Sequence, residues 1–300
     1  MTPRVLCVGV AVLDNLFAIG EFPAEPTKTF ARDFCQVGGG PGANAAVTIA
    51  RLGGSAAFWA RVGQDGIGTN IIAELASYGV DVSHIRQVAG RRSGVSAVMV
   101  DGHGERHIFA FADRELDTST SWLPSTIPAG TDVVLCDVRW PAASAHATEL
   151  ARTQGLPVVL DADLTNDDAV EKLIGGATHA VFSAPALRRL ADTSEPLEGL
   201  RRAQAQTKGI VAVTLGREGF AWLEGGEMRR VPAYHVDVVD TLAAGDVFHG
   251  AFALGLAEGY DVAGAGRFAA AAAALKCARW GGRLGIPSRE ELTRFMAEAA

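Results

Sequence analysis

Gly38-Gly39-Gly40-Pro41-Gly42-Ala43-Asn44 runs without a break into a helical pattern, Ala43 to Leu52, and a β-rich apolar run, Ala56 to Val62, follows it. Runs of the same kind recur at Val5 to Val10, Asp132 to Cys136, Pro157 to Leu160, His179 to Phe182 and Ile210 to Thr214. Unbroken apolar runs of this length are those of strands buried on both faces. Helical periodicity fills the intervals at Ile67 to Tyr78, Ala143 to Gln154 and Leu197 to Thr207. This alternation specifies a parallel sheet covered by helices, so an α/β core is expected. Two stretches break it: Leu16 to Val37, and Val95 to Phe111, where Asp101-Gly102 and His103-Gly104 read as a hairpin turn. They are expected to form a small extra sheet that meets over the site as a lid.

Composition narrows the function. The 300 residues are 48% apolar and 20% charged, which excludes a disordered chain, a collagen-like repeat and a coiled coil. Lys and Arg number 27 against 34 Asp and Glu, a net charge of −7 with the basic residues scattered, so neither nucleic acid nor a membrane is an expected partner. The longest apolar stretch, Phe268 to Leu275, falls well short of the roughly 20 residues a membrane span needs. The N-terminus reads as a first strand, which makes the cytoplasm the expected location. Cys7, Cys35, Cys136 and Cys277 form no CxxC pair and are expected to be reduced thiols used in packing. His103 and His107 flank the hairpin and read as lid-surface residues rather than a zinc pair.

A glycine-rich turn ahead of a helix either cradles an anionic ligand or lets strand and helix pack closely. Gly38-x-Gly40-x-x-Ala43 loosely matches a dinucleotide fingerprint, but the following strand ends near Arg61 rather than at an acidic ribose-binding residue, which counts against a nicotinamide-dependent reductase. The chain holds no G-x-x-x-x-G-K-[ST] string, so a P-loop kinase is excluded. A second segment, Asp240-Thr241-Leu242-Ala243-Ala244-Gly245-Asp246, precedes an apolar helix, Val247 to Ala257. Amides at that helix N-terminus can hold a transferring phosphoryl group while Asp246 orients or deprotonates an attacking hydroxyl. The helix dipole is expected to lower the Asp246 pKa. The plainer use of an aspartate there is an ordinary N-cap. Asp161-Ala162-Asp163 ends another strand and can face sugar, metal or solvent.

Together the two segments resemble the paired signatures of the ribokinase-like, or PfkB, carbohydrate kinases, and the resemblance spans essentially the whole chain. It implies a single domain, 1–300, with a Rossmann-like core, a mostly parallel central sheet flanked by helices, and a small β-sheet lid built from insertions at about 11–37 and 95–112. It implies ATP and Mg2+ as cofactors, a sugar as substrate, and a homodimer formed through the lid. Asp246 becomes the catalytic base, and the amides of Ala243, Ala244 and Gly245 the anion hole. Asp14, Gly40 and Asn44 match positions that bind sugar hydroxyls, while Thr214, Gly216 and Gly219 match the nucleotide-phosphate turn. Ser183-Ala184-Pro185-Ala186 stands where the family often carries N-x-x-E, so Ser183 keeps a cofactor-binding position without the acid, and no protein ligand of the metal is assigned. Gly285 brings no side-chain oxygen to the family's monovalent-cation loop, which leaves potassium dependence open.

Seven stretches, VGGGP (37–41), AVMVDGHGER (97–106), DVVLCDVRWP (132–141), VDVVDT (236–241), GDVFHGA (245–251), ALKC (274–277) and GGRLGIP (281–287), look most like the sulfofructose kinase branch. That likeness implies a sulfonate-binding lysine and arginine at Lys28 and Arg139, with Ala110 in place of a third anion-contacting residue, an asparagine. The expected reaction is phosphorylation of a ketose-like sugar with an anionic tail, such as sulfofructose or a sugar phosphate. A kinase for a neutral sugar such as fructose or ribose, and a non-catalytic sugar or nucleotide sensor on the same fold, are the alternatives.

Overall fold

A computed structural model describes residues 2–25, 27–116, 118–165 and 167–299. In chain order the first half comprises β1 (Arg4–Val8), β2 (Val12–Ala18), β3 (Asp33–Gly39), α1 (Pro41–Arg51), β4 (Ser55–Gly63), α2 (Gly66–Ser77), β5 (Asp81–Val88), β6 (Gly94–Val100), β7 (Arg106–Phe111), β8 (Val133–Asp137) and α3 (Pro141–Thr153). The second half comprises β9 (Val158–Ala162), α4 (Ala169–Leu173), β10 (His179–Ser183), α5 (Ala184–Ala191), α6 (Pro196–Gln204), β11 (Ile210–Thr214), β12 (Phe220–Glu224), β13 (Glu227–Val231), α7 (Ala244–Ala257), α8 (Val262–Cys277) and α9 (Arg289–Glu298).

Nine strands form the central sheet in the order β13-β12-β11-β10-β9-β8-β1-β4-β5. All neighbours pair in parallel except β11-β12 and β12-β13, the edge meander. Every residue of β8 and β9 is buried, as expected of strands covered on both faces. The two-residue period divides β1 cleanly, with Val5 and Cys7 in one apolar layer and Leu6 and Val8 in the other. Strand order reverses at β1, where the chain moves first toward β4 and β5 and then back to β8, so the sheet opens a crevice at the carboxyl ends of β1, β8 and β9.

The two interrupting stretches come together as a second sheet, β3-β2-β6-β7, with β2 and β6 parallel and the other pairs antiparallel. Phe30 and Phe109 stand 82% and 65% exposed in this region. A close helix contact sets up the site. At Gly250 of α7 a Cβ would lie 2.7 Å from the Ala45 carbonyl oxygen of α1, so the glycine lets the two helices meet although some 200 residues separate them. None of the described helices is long and apolar enough to cross a membrane. All four cysteines are free thiols.

Candidate active site

The crevice holds a cavity of 540 Å3 to which both sheets contribute. Asp14, from the start of the lid, and Gly40 and Asn44, from the glycine-rich turn, line it together with Arg139, Ala243 and Asp246. Lid residues Ser96, Ile108 and Ala110 complete the wall, so the lid faces the cavity as the sequence implies. Lys28 is not brought there. It lies in the exposed segment between β2 and β3 and does not line this cavity, since that segment has no regular structure to carry it inward.

Gly40 takes a left-handed φ of +94° as the N-cap of α1, and a Cβ there would lie 2.4 Å from the Val10 carbonyl. Two amides of the glycine-rich turn are already used within the protein, which leaves less of it to cradle an anion. Gly38 N–H donates to Glu74 Oε1 at 3.2 Å, and Gly42 N–H to Asp137 Oδ2 at 3.0 Å. Buried Asp137 also accepts from Val10 N at 2.9 Å and Arg139 N at 2.8 Å, tying together three loops of the crevice.

Asp246 is not an N-cap. Ala243 occupies that position with a left-handed φ of 64°, and the Asp246 carboxylate, one turn in, accepts from Asn44 Nδ2 at 2.6 Å. The other side of the Asn44 amide, Oδ1, accepts from Arg283 Nε at 2.9 Å, and Arg283 continues to the Gly39 carbonyl at 3.1 Å and to Glu74 at 3.4 Å. Burial pushes the Asp246 carboxyl above the usual aspartate range, against the lowering exerted by the Asn44 hydrogen bond and by His249. This overturns the lowered pKa expected from the helix dipole: desolvation is the larger effect, and it leaves a more basic carboxylate. Asp14 shifts upward for the same reason, although the Ser96 hydroxyl donates to it.

On the far side of the α7 N-terminus lies a second cavity of 370 Å3. Thr214, Gly216 and Gly219 line one wall, Ala244 and Gly245 another, and the small residues Ala270, Ala273 and Ala274 of α8 with Val236 and Phe248 give an apolar slot fit for a nucleotide base. Ser183 lines neither cavity. Its hydroxyl accepts from Ala186 N at 3.3 Å as the N-cap of α5, so its place at the end of β10 serves the helix. A larger hollow of 720 Å3, lined by Thr178, Gln206 and Lys208, sits at the opposite ends of β10 and β11, away from the strand termini where such sheets bind ligands.

The amide set at the α7 N-terminus is narrower than implied, since Ala244 N–H is directed at the Thr241 carbonyl at 3.3 Å. Gly245 and Asp246 N–H, in the first turn, have no acceptor within the helix. The turn before them hangs on Asp240, which is fully buried and accepts from Leu242 N at 2.8 Å, Gly282 N at 2.9 Å and the Lys276 ammonium at 2.9 Å. Lys276 also donates to the Asp240 carbonyl at 2.6 Å. These groups do not fit a monovalent cation: the carboxylate and carbonyl of Asp240 already face an ammonium, and Gly285 in the neighbouring turn offers no side-chain oxygen. Among the described residues no trio of acidic, His or Cys side chains forms a metal cage, so no protein ligand of magnesium is assigned.

Sequence reasoning missed Arg61 and Arg106 as site residues and left Asp161 and Asp163 without a role. Arg61 and Arg106 line the first cavity beside Arg139, and Arg61 lies 4.4 Å over the Trp140 ring. A lone cation at the end of the apolar run Ala56 to Val62 was the available signal for Arg61. Asp163 pairs with Arg139 at 2.9 Å within the cavity wall. Asp161 is buried and pushed up to about 7, chiefly by desolvation, with His249 Nε2 at 3.4 Å from it. His103, read as a surface residue, lines the second cavity.

Two cavities sharing a helix N-terminus suit a reaction in which a group passes between two ligands, and with a basic carboxylate at the junction that is phosphoryl transfer from a nucleotide to a hydroxyl. Comparison with known proteins makes the assignment specific. Residues 2–289 match the family described as pfkB family carbohydrate kinase, and the chain belongs to it. It is similar to the ribokinase of Haemophilus influenzae, 29% identical with 100% of both chains covered. A crystal structure from Agrobacterium tumefaciens, provisionally named a ribokinase, is 38% identical with a TM-score of 0.95, covering 99% of this chain and 98% of that one. Arabidopsis thaliana ribokinase complexed with ribose and ATP is 27% identical with a TM-score of 0.81, and 99% of each chain is covered. The protein is an ATP-dependent sugar kinase, and enzymes of its family use ATP with Mg2+.

Proposed function

We propose that the enzyme phosphorylates a hydroxyl of a ketose-like sugar carrying an anionic tail, sulfofructose or a sugar phosphate being the model substrates. The supporting observation is the pair Arg61 and Arg139 in the wall of the acceptor cavity. A sulfonate or phosphate leaving water needs compensating charge, and planar guanidinium groups supply it through paired hydrogen bonds. Arg61 is only 9% exposed, so its charge acts in a medium of reduced dielectric. Asp14 and Asn44 take sugar hydroxyls, and Asp246 accepts the proton as the hydroxyl oxygen attacks the γ-phosphorus and ADP leaves. The transferring group rests at the first-turn amides of α7, with magnesium carried on the phosphates.

One observation favours a neutral sugar such as fructose or ribose instead. Arg139 is already matched by Asp163 at 2.9 Å, a pair that a neutral ligand leaves intact. ADP release with magnesium and ATP across ribose, fructose, fructose phosphates, sugar acids and sulfofructose separates the readings. Arg139→Ala should raise KM for an anionic acceptor at least tenfold more than for a neutral one. Equal effects on both would remove the anion site and leave a neutral-sugar kinase. No turnover on any sugar, with retained nucleotide binding, would support the sensor reading.

The lid supports association of two copies. Its edge strands β3 and β7 carry unpaired backbone groups, and Phe30 and Phe109 are open to solvent, a combination that a second lid would cover. Light scattering at micromolar concentration should give twice the chain mass, and a monomer would end that proposal. The four free thiols suit a reducing compartment, the cytoplasm.

A further inference from the structure

We infer that Arg106 is a catalytic residue whose guanidinium contacts the phosphoryl group as it passes from nucleotide to sugar. Among the described residues it alone lines both cavities, the acceptor cavity in the crevice and the nucleotide cavity beyond α7. In a kinase the only atoms that belong to both ligands in turn are those of the γ-phosphoryl group, so a side chain at the junction meets that group. Arg106 opens β7 of the lid and donates a hydrogen bond to the Thr241 hydroxyl, in the turn that leads to Ala243 and Asp246.

Its charge is also uncommitted. Arg139 is matched by Asp163, and Arg61 lies over Trp140, whereas no carboxylate among the described residues pairs with Arg106. A loose phosphoryl-transfer transition state spreads negative charge over three equatorial oxygens, and a planar donor pair bridges two of them better than a point charge does. In the step, the bond from the sugar oxygen to phosphorus forms, the bond from phosphorus to the β,γ-bridging oxygen breaks, the hydroxyl proton passes to Asp246, and ADP leaves. Arg106 gives up no proton; it stabilises the charge.

The inference rests on the sugar-kinase assignment and not on which sugar is used. With the best acceptor found, Arg106→Ala should lower kcat about 10³-fold, the low end of what an arginine of this role supplies, with KM for ATP and sugar changed less than threefold. Arg106→Lys should recover part of the loss, and added guanidinium ion should partly restore Arg106→Ala. ADP with aluminium fluoride and sugar, which mimics the transferring group, should bind the alanine variant weaker in proportion to kcat, while ADP alone binds unchanged. A kcat loss below tenfold, a loss confined to KM, or equal weakening of ADP and of the fluoride complex would overturn the role. Wild-type turnover distinguishes the two levels: an active wild type with an unaffected variant refutes Arg106 alone, and an inactive wild type refutes the kinase reading with it.

Discussion

Replacing Asp246 by asparagine should abolish turnover and, at the same time, leave the fold as stable as before or more so. The geometry survives the change, because the introduced amide oxygen can accept the 2.6 Å hydrogen bond from Asn44 Nδ2. What is lost is the proton acceptor, and a positioned base of this kind contributes about 10²–10⁴ in rate, or about 2.7–5.4 kcal/mol at 1.36 kcal/mol per decade. The stability effect has the opposite sign. Burial raises the Asp246 pKa in the folded state, so the ionised carboxylate is a cost to folding. That cost is absent below the unfolded-state pKa, grows as pH rises toward the folded-state value, and is complete above it. A neutral amide escapes it, so the melting temperature of the variant should equal or exceed that of the wild type at pH 8, with the difference shrinking toward pH 4. ADP release at saturating ATP and sugar, paired with thermal melts at both pH values, reads the two effects. Turnover within tenfold of wild type would refute the base assignment, and a lower melting temperature at pH 8 would refute the desolvation argument.

Two further outcomes follow from buried charges. Lys276→Met leaves Asp240 buried with two backbone donors and no cation, and breaking such a pair costs about 3–5 kcal/mol, so at about 2 °C per kcal/mol the melting temperature should fall by about 6–10 °C. Wild-type turnover should be unchanged when sodium or a bulky organic cation replaces potassium, and a strict potassium requirement would show that the ammonium does not fill that role. Asp161 holds its proton up to about 7 when folded but only to the ordinary aspartate range when unfolded, so its contribution to stability is lost as pH rises between those values. Asp161→Asn should therefore gain stability relative to wild type between pH 5 and pH 8, and a pH-independent difference would show that its carboxyl does not titrate in that window.

The α/β core was legible because buried parallel strands write themselves as apolar runs; each of the six strands expected is present within a few residues, from Arg4–Val8 to Ile210–Thr214. β5 and β13 were not, since at least half their residues face solvent and their apolar period is diluted; β12 is buried in four of its five residues, but its apolar run, Phe220 to Leu223, is only four residues long. That Asn44 and Asp246 meet in one cavity was legible through motifs that stand on helix N-termini, where local sequence dictates local geometry. Arg106 and Arg61 were not, because their meaning comes from the partner surface: nothing near residue 106 in the chain says that the second cavity opens beside it. Lys28 shows the converse case, in which a residue type in a matching place lies on a segment with no regular structure and stays outside the acceptor cavity. Of the two readings open for the glycine-rich turn, close approach is seen at Gly40, and Glu74 and Asp137, both distant in sequence, take two of the turn's amides.

The polar line Glu74, Arg283, Asn44 and Asp246 fixes the direction of hydrogen bonding in the acceptor cavity. An amide can in principle present either end to a ligand, but here Arg283 turns the Asn44 oxygen toward itself at 2.9 Å and one Nδ2 hydrogen goes to Asp246, so the second Nδ2 hydrogen is the end turned toward the sugar. Asp14 and Asp246 both offer acceptors, with the Ser96 hydroxyl already given to Asp14. A sugar hydroxyl bound between Asn44 and Asp246 must therefore accept from the amide and donate its own proton to the carboxylate. That arrangement aims the proton at the base and leaves an oxygen lone pair free for phosphorus, so the orientation needed for attack is set by a buried arginine that touches neither substrate.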